Sequence, residues 1–405
     1  MCIVLPYAVY PAYPVNGSMI CRTLKVVPEN FPIDTYPKRL FEDCGLSNLN
    51  LNLFHGFPSK KGLGKFVQSC KTRTINEANV GLKMLKNSEC DLFFIYMSAL
   101  DAIQHTFWSY CDKAHPDYPG PNVYENVIRD FYELFDHVLG EFNNLSDRRT
   151  TVIVVSDHGH GMRPVKVVNI NEVLRRKGYL VPKRRNPRDS NTIVKAETVK
   201  SKAVSFVNSF GINSSLLRLM HKFPLWKKFF TSASFIDWNQ TVAYVSDLSA
   251  IKRYSYCGII INRTKVNPKQ YENLRTKLLE DIKELTEPKS GERLVKWAYR
   301  REELYKGEHT SKYPDIILEL DGNFGAGWDV GVPITNISQT PNIQPGTHKA
   351  NSPVLFMSNI ERAGFAIRED DLEVGLMDIA PTVLGLLGVA TNATFDGRSI
   401  VAKNS

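Results

Sequence analysis

Four short runs of β-branched and aromatic residues, set between long stretches of helical periodicity, constrain this chain more than any other feature. Asp91-Leu-Phe-Phe-Ile-Tyr96, Thr151-Val-Ile-Val-Val155, Asp315-Ile-Ile-Leu318 and Pro353-Val-Leu-Phe356 are too short to be buried helices and read as strands covered on both faces. Their alternation with helices specifies an α/β fold, a mostly parallel central sheet sandwiched by helices. The clearest helix follows Pro121 and places Val123, Val127, Phe131, Leu134, Phe135, Val138 and Phe142 on one apolar stripe. Another is expected to start near Asp370 and Asp371, whose carboxylates suit a helix N-terminus. It runs through Leu376, Ile379, Val383, Leu386 and Leu387 to a stop at Gly388.

Between about Pro182 and Ile236 this pattern breaks into basic, polar and short amphipathic pieces, and strand-like Thr241-Val-Ala-Tyr-Val245 and Gly258-Ile-Ile-Ile261 resume beyond it. The chain therefore divides into residues 1–181 as the first part of the α/β core, 182–310 as a basic insertion or cap region, and 311–405 as the second part of the core. Leu216 to Phe230 carries Met220, Phe223, Trp226 and Phe229 among lysines. It reads as a cap helix docked on the main body, with a helix lying in a membrane interface as the other reading.

With 405 residues, 43% of them hydrophobic and 11% aromatic, the chain has the material for a large core and is not a disordered tail. No run approaches the roughly 18 apolar residues that span a bilayer, and Met1 to Leu5 is too short for a signal-peptide apolar segment. The expected address is the cytosol, with no transmembrane segment. Seven scattered cysteines without a Cys-x-x-Cys pair read as reduced thiols. The net charge of +9 concentrates at Arg175, Arg176, Lys177, Lys183, Arg184, Arg185 and Arg188, with Lys227 and Lys228 following. That stretch could attract polyanions, but it reads first as a solvated insertion surface, because no nucleic-acid-binding fold accompanies it.

Three constellations carry chemistry. Asp101-Ala-Ile-Gln-His105 follows a strand end. In a helix its i, i+4 spacing puts a hard carboxylate and a borderline imidazole on one face, where they can share a zinc ion; alone, the same pair is also a common capping or surface arrangement. Ser156-Asp157-His158-Gly159-His160-Gly161 ends the apolar run Thr151 to Val155. Polar ligands at the carboxyl end of a buried strand are where open α/β sheets place their sites, and two glycines let the backbone fold closely around an ion; the alternative is an ordinary turn. Gly346-Thr-His348 lies in a loop just before the strand at Pro353 and could complete the set.

In this order the three motifs resemble the alkaline phosphatase superfamily and, within it, the type I phosphodiesterase and nucleotide pyrophosphatase branch. The likeness extends to Pro14-Val-Asn-Gly17, Thr35-Tyr-Pro37, Asn171 to Leu180, Asp237-Trp238 to Ala243-Tyr244, Pro314-Asp315 and Asp378-Ile-Ala-Pro-Thr-Val383. It implies two divalent ions, normally zinc, with manganese or iron as compatible substitutes. Asp101, His105 and His348 would hold one, Asp157 and His158 would contribute to the second, and His160 has no ligand role. Two such ions stabilise the attacking and leaving oxygens of an in-line phosphoryl displacement, so the implied substrate is a small anionic phosphate ester.

The resemblance also implies a first strand that ends in a metal-binding aspartate and leads to a threonine or serine nucleophile. Met1 to Tyr13 matches a later strand. The catalytic nucleophile is therefore expected outside this chain, through a misassigned start or on a separate chain. The competing expectations are a non-catalytic metal-binding descendant, and a phosphomonoesterase, sulfatase or phosphoglycerate-mutase-type member of the same superfamily.

Overall fold

The protein is seen in a computed structural model that describes residues 1–4, 9–22, 33–48, 58–183, 236–245, 254–322, 324–337, 344–349, 352–368, 373–390 and 392–403. It is a mixed α/β fold. A four-stranded sheet has Cys2–Val4 in its interior, paired in parallel with both Ser18–Arg22 and Phe93–Ile95, while Ile33–Tyr36 runs antiparallel beyond Ser18–Arg22. Helices Leu63–Lys86, Ala99–Cys111 and Val127–Leu145 pack together through Phe66, Cys70, Ile103, Phe107, Val127 and Phe131. The long helix comes close to the sheet because Gly81 lacks a side chain: a Cβ there would lie 2.7 Å from Ile95 Cδ1 and 2.8 Å from the Phe142 ring. Phe142 in turn packs its ring 5.5 Å from that of Phe93, so one glycine brings two helices and a strand together.

A second, antiparallel sheet has the order Val295–Arg300, Ile316–Leu320, Tyr256–Ile261, Ala243–Val245. Ile316, Leu318 and Leu320 are fully buried and alternate with partly covered residues, as period-2 patterning requires of a strand with one core face. They join Val168, Ile170, Leu174, Ile259, Leu278, Ile282 and Phe324 in the largest apolar core. Pro182 and Ile236 bridge antiparallel, so the two ends of the stretch read as an insertion lie side by side. Arg175 and Arg176 pair with Glu172, and Lys177 with Asp281, which neutralises locally the first part of the basic run. Arg184, Arg185, Arg188, Lys227, Lys228 and the Leu216 to Phe230 segment lie outside the described residues.

Three expectations need correction. Coverage on both faces does not hold for Phe93–Ile95, Val152–Val155 or Leu355–Ser358, where Phe94, Val155 and Phe356 are exposed. Among the described residues, Phe93–Ile95 is a terminal strand of its sheet, and Val152–Val155 pairs only with Leu355–Ser358. Val123 is outside the apolar stripe: the helix starts at Val127, and Val123 is 91% exposed. The C-terminal helix spans Ile379–Leu386, so Leu376 precedes it in a short 3-10 turn, Leu376–Asp378; Asp370 and Asp371 lie outside the described residues. Pro381 is accommodated because it falls in the first turn, where its nitrogen has no helical partner to lose. The stop at Gly388 is as expected. Its φ of +64° allows a left-handed close in which Val389 N–H donates to Leu384 C=O and Gly388 N–H to Gly385 C=O.

A buried anion holds part of the second sheet together. Asp315 accepts from Arg301 at 2.6 Å, from the Ile261 N–H at 2.6 Å and from the Tyr271 hydroxyl. Burial opposes its charge, but these hydrogen bonds and the Arg301 guanidinium outweigh it and hold the carboxyl below its ordinary pKa. A depressed folded-state pKa contributes stability that is complete above the unfolded value, about 3.9, and is lost as pH falls through the folded value. Asp315→Asn is therefore expected to cost about 2 kcal/mol at neutral pH. The gap from wild type should close below roughly pH 4 in urea melts. A pH-independent gap would refute this role.

Candidate metal centre

Two backbone elements bring the histidines together. Strand Gly346–Lys349 pairs antiparallel with Gly159–Met162 in a register that sets His348 opposite His160. Strand Gly346–Lys349 also lies against helix Ala99–Cys111. The approach is so close that a Cβ on Gly346 would stand 2.2 Å from the Gln104 carbonyl oxygen. Only glycine fits there. The Gly346 carbonyl accepts from His105 Nδ1–H at 3.0 Å and from the buried Arg163 guanidinium at 3.3 Å. With its Nδ1 proton committed to that carbonyl, neutral His105 turns the Nε2 lone pair toward the cluster.

Asp101 occupies the first turn of the same helix, and His105 follows one turn later. The expected i, i+4 pairing is present, with Asp101 Oδ1 3.4 Å from His105 Nε2. His348 Nε2 is 3.2 Å from Asp101 Oδ1 and 2.9 Å from His105 Nε2. Its ring also stacks on His158 at 3.8 Å, so His348 stands between the two groups of residues expected from the sequence. Asp157 is at the rim, its side chain 61% exposed and its Oδ1 3.5 Å from His158 Nε2. Four of the five residues singled out from the sequence, Asp101, His105, His158 and His348, thus converge directly, and Asp157 adjoins them through His158.

His160, to which the resemblance gives no ligand role, also borders the cluster. Its side chain is 2% exposed, its Nδ1 is 3.9 Å from Asp101 Oδ1, and its ring meets His105 edge-on at 4.5 Å and stacks on Trp108 at 5.9 Å. The available signal was the i, i+2 spacing of His158 and His160, which in extended chain directs both rings to one side. The two ring centroids are 6.0 Å apart.

The donor set fits a borderline divalent cation. Asp101, His158 and His348 offer donor atoms all within 4.8 Å of one another, as do Asp101, His105 and His160. The separations of 2.9, 3.2 and 3.4 Å among His105, His348 and Asp101 are comparable to the edges of a tetrahedron of zinc ligands, about 3.3 Å for arms near 2 Å. Protonation favours ligation too. Burial works against the Asp101 carboxylate, but the hydrogen bond from His348 and the proximity of His105, His348 and His160 hold its pKa below the ordinary value. Burial pushes the His105 pKa down, and pushes that of His160 down to about 3, so both imidazoles are neutral.

The family model described as type I phosphodiesterase / nucleotide pyrophosphatase matches residues 30–327 of the chain. No curated protein matches it. Two solved structures of phosphonoacetate hydrolase from Sinorhizobium meliloti are similar, each at 13% identity over 71% of this chain. The complex with phosphonoacetate has a TM-score of 0.33 and 49% of that chain is covered; for the complex with phosphonoformate the values are 0.32 and 50%. The chain spans about half the length of these structures.

Proposed function

Because the chain belongs to the type I phosphodiesterase/nucleotide pyrophosphatase family, we propose that it is a metal-dependent phosphoric ester hydrolase acting on small anionic phosphodiesters. The observation that carries this reading is the convergence of Asp101, His105, His158 and His348. Asp101, His105 and His348 would hold one divalent ion, with Asp157 and His158 contributing to a second; zinc suits the mixture of carboxylate and imidazole. Ions bound there would supply Lewis-acid polarisation of the phosphoryl oxygens and a lower pKa for the attacking group. The chain's own residues orient that chemistry. Gly346 C=O fixes the His105 tautomer, and Arg163, donating to the same carbonyl, holds the His348 strand in place.

The nucleophile is assigned to no residue of this chain. Phe93–Ile95, a terminal strand with Phe94 exposed, supports a reading in which a further strand from another segment or a separate chain docks at that edge. Residues 1–181 and 311–405 would carry the core and 182–310 the cap; the bridge between Pro182 and Ile236 supports an insertion only between those two residues, since the strands from Ala243 to Arg300 share a sheet with Ile316–Leu320. A cytosolic address agrees with seven free cysteines, and among the described residues no helix is long and apolar enough to cross a membrane.

The test is hydrolysis of bis(4-nitrophenyl) phosphate by the chain loaded with zinc, stripped by chelator, and carrying Asp157→Ala. Turnover, with water as the attacking group in place of a side-chain nucleophile, should follow the zinc content and be lost in the variant. Protein that binds zinc fully but hydrolyses no diester would overturn the hydrolase reading for this chain.

A further inference from the structure

We propose that Tyr254 is a positioning residue, the side chain through which the second sheet fixes the orientation of the His348 ring. This deepens the metal-dependent reading, rests on it, and leaves the ligands as assigned there.

The two histidines of the first ion are held differently. A ligating imidazole is ordinarily oriented by a hydrogen bond at its other nitrogen, and His105 has one, from Nδ1 to the Gly346 carbonyl. His348 meets Asp101 and His105 through Nε2, and among the described residues its Nδ1 has no hydrogen-bond partner. Its ring is therefore set by what packs against it. The His158 ring lies on it at 3.8 Å, and the Tyr254 ring stands 5.9 Å away, tilted by 44°, within the range of aromatic contacts. His158 is a poor reference, because its Nδ1 bonds to the carbonyl of its own neighbour, Gly159.

Tyr254 has a firmer base. Only Ser255 separates it from strand Tyr256–Ile261. Its carbonyl accepts from the Ala326 N–H at 2.7 Å, and the Ser255 carbonyl accepts from the Leu320 N–H at 2.7 Å. Ala326 and Leu320 belong to the largest apolar core, so the backbone beneath the tyrosine is tied to that core. At the far end of the side chain, Arg163 hydrogen-bonds with the hydroxyl, and its guanidinium lies 5.5 Å from the ring centroid. Arg163 is buried and also donates to Gln344 Oε1 at 2.7 Å and to the Gly346 carbonyl. A side chain anchored at both ends keeps its ring in one place. The Gly346 carbonyl is also the one that fixes His105. One guanidinium thus links Tyr254 to His105 through that carbonyl and to His348 through the strand that carries both Gly346 and His348.

Tyr254→Leu removes the ring and the hydroxyl but keeps apolar bulk, and Tyr254→Phe keeps the ring; Tyr254→Ala is the further variant should leucine perturb folding. Chelator-stripped proteins are titrated with Co²⁺, following ion equivalents, affinity, the visible d–d absorption and the Tm of the metal-free protein. The expected result for Tyr254→Leu is an unchanged number of equivalents, about tenfold weaker binding of one of them and altered d–d absorption. Tyr254→Phe should recover most of the affinity. A folded Tyr254→Leu protein with wild-type affinity and absorption, whatever its metal-free Tm, would overturn the proposal while leaving the metal-dependent reading intact. A Tyr254→Phe protein that binds no better than Tyr254→Leu would overturn it as well, since the ring contact would then not orient His348. A wild-type chain that binds no cobalt would overturn the metal-dependent reading, and the positioning role with it.

Discussion

Asp101→Asn is expected to strip the protein of its divalent ions and to lower hydrolysis of an activated phosphodiester by at least about 10³-fold, the equivalent of roughly 4 kcal/mol of lost transition-state stabilisation. The argument is one of position. Asp101 is the only residue common to both three-residue donor sets, and its Oδ1 lies within 3.4 Å of the Nε2 atoms of His105 and His348. Its depressed pKa keeps it ionised at neutral pH, so it supplies negative charge among the imidazoles of the cluster. Asparagine has the same shape but is neutral, and turns one acceptor into a donor pointed at lone pairs. Folding should suffer little: the Asp101 side chain is 42% exposed, and a charge in a first turn contributes only about 0.3–1 kcal/mol. The measurement is zinc content by mass spectrometry together with an urea melt. A well-folded Asp101→Asn protein that retains its zinc would sink the assignment.

That prediction could be framed from the sequence because the relevant information is local. An i, i+4 pair in a helix fixes its own geometry, and Asp101 with His105 stands as the spacing dictates. His348 was legible only as a histidine before a strand; its meeting with Asp101 depends on strand Gly346–Lys349 lying against a helix more than two hundred residues away in sequence. His160 was harder still. Its position opposite His348 is a matter of strand register, and register is set by tertiary pairing rather than by the composition of a four-residue strand.

The fold divides along the same line. Ile316–Leu320 alternates as its sequence suggests because one face is core and the other partly covered. Phe93–Ile95 and Val152–Val155 have the composition of strands covered on both faces, but among the described residues each has a single strand neighbour in its sheet, and each has an exposed aromatic or aliphatic side chain. Composition reports what a strand can bury, whereas its neighbours decide what it does bury. Val123 shows the opposite error. It continues the apolar spacing backward, but the helix begins only at Val127, leaving Val123 in solvent.

Glu77→Ala is expected to produce the largest loss of stability from a residue outside the metal centre, about 3–5 kcal/mol. Nothing in the local sequence marks Glu77 as buried: it sits in the polar run Lys71-Thr-Arg-Thr-Ile-Asn-Glu77. In the fold it is fully enclosed, 3.0 Å from the equally enclosed Arg22 guanidinium and 3.5 Å from Arg73 one turn earlier. Arg22 ends a strand of the first sheet, and Arg73 donates to Ser98 Oγ at 2.6 Å, next to the helix that carries Asp101 and His105. One carboxylate therefore joins sheet, long helix and site helix. Burial lowers the Arg22 pKa, with Glu77 as the main opposing influence, so the anion is what makes a buried cation tolerable. Alanine would leave two neighbouring guanidiniums enclosed without a counter-charge, and their desolvation and mutual repulsion give the expected magnitude. Replacing Glu77 by Leu and Arg22 by Met together should recover part of the loss in urea denaturation, because an apolar pair of similar volume removes one of the two stranded charges. A double variant no more stable than Glu77→Ala would mean that the bridge holds the strand in place by geometry, not by compensating charge.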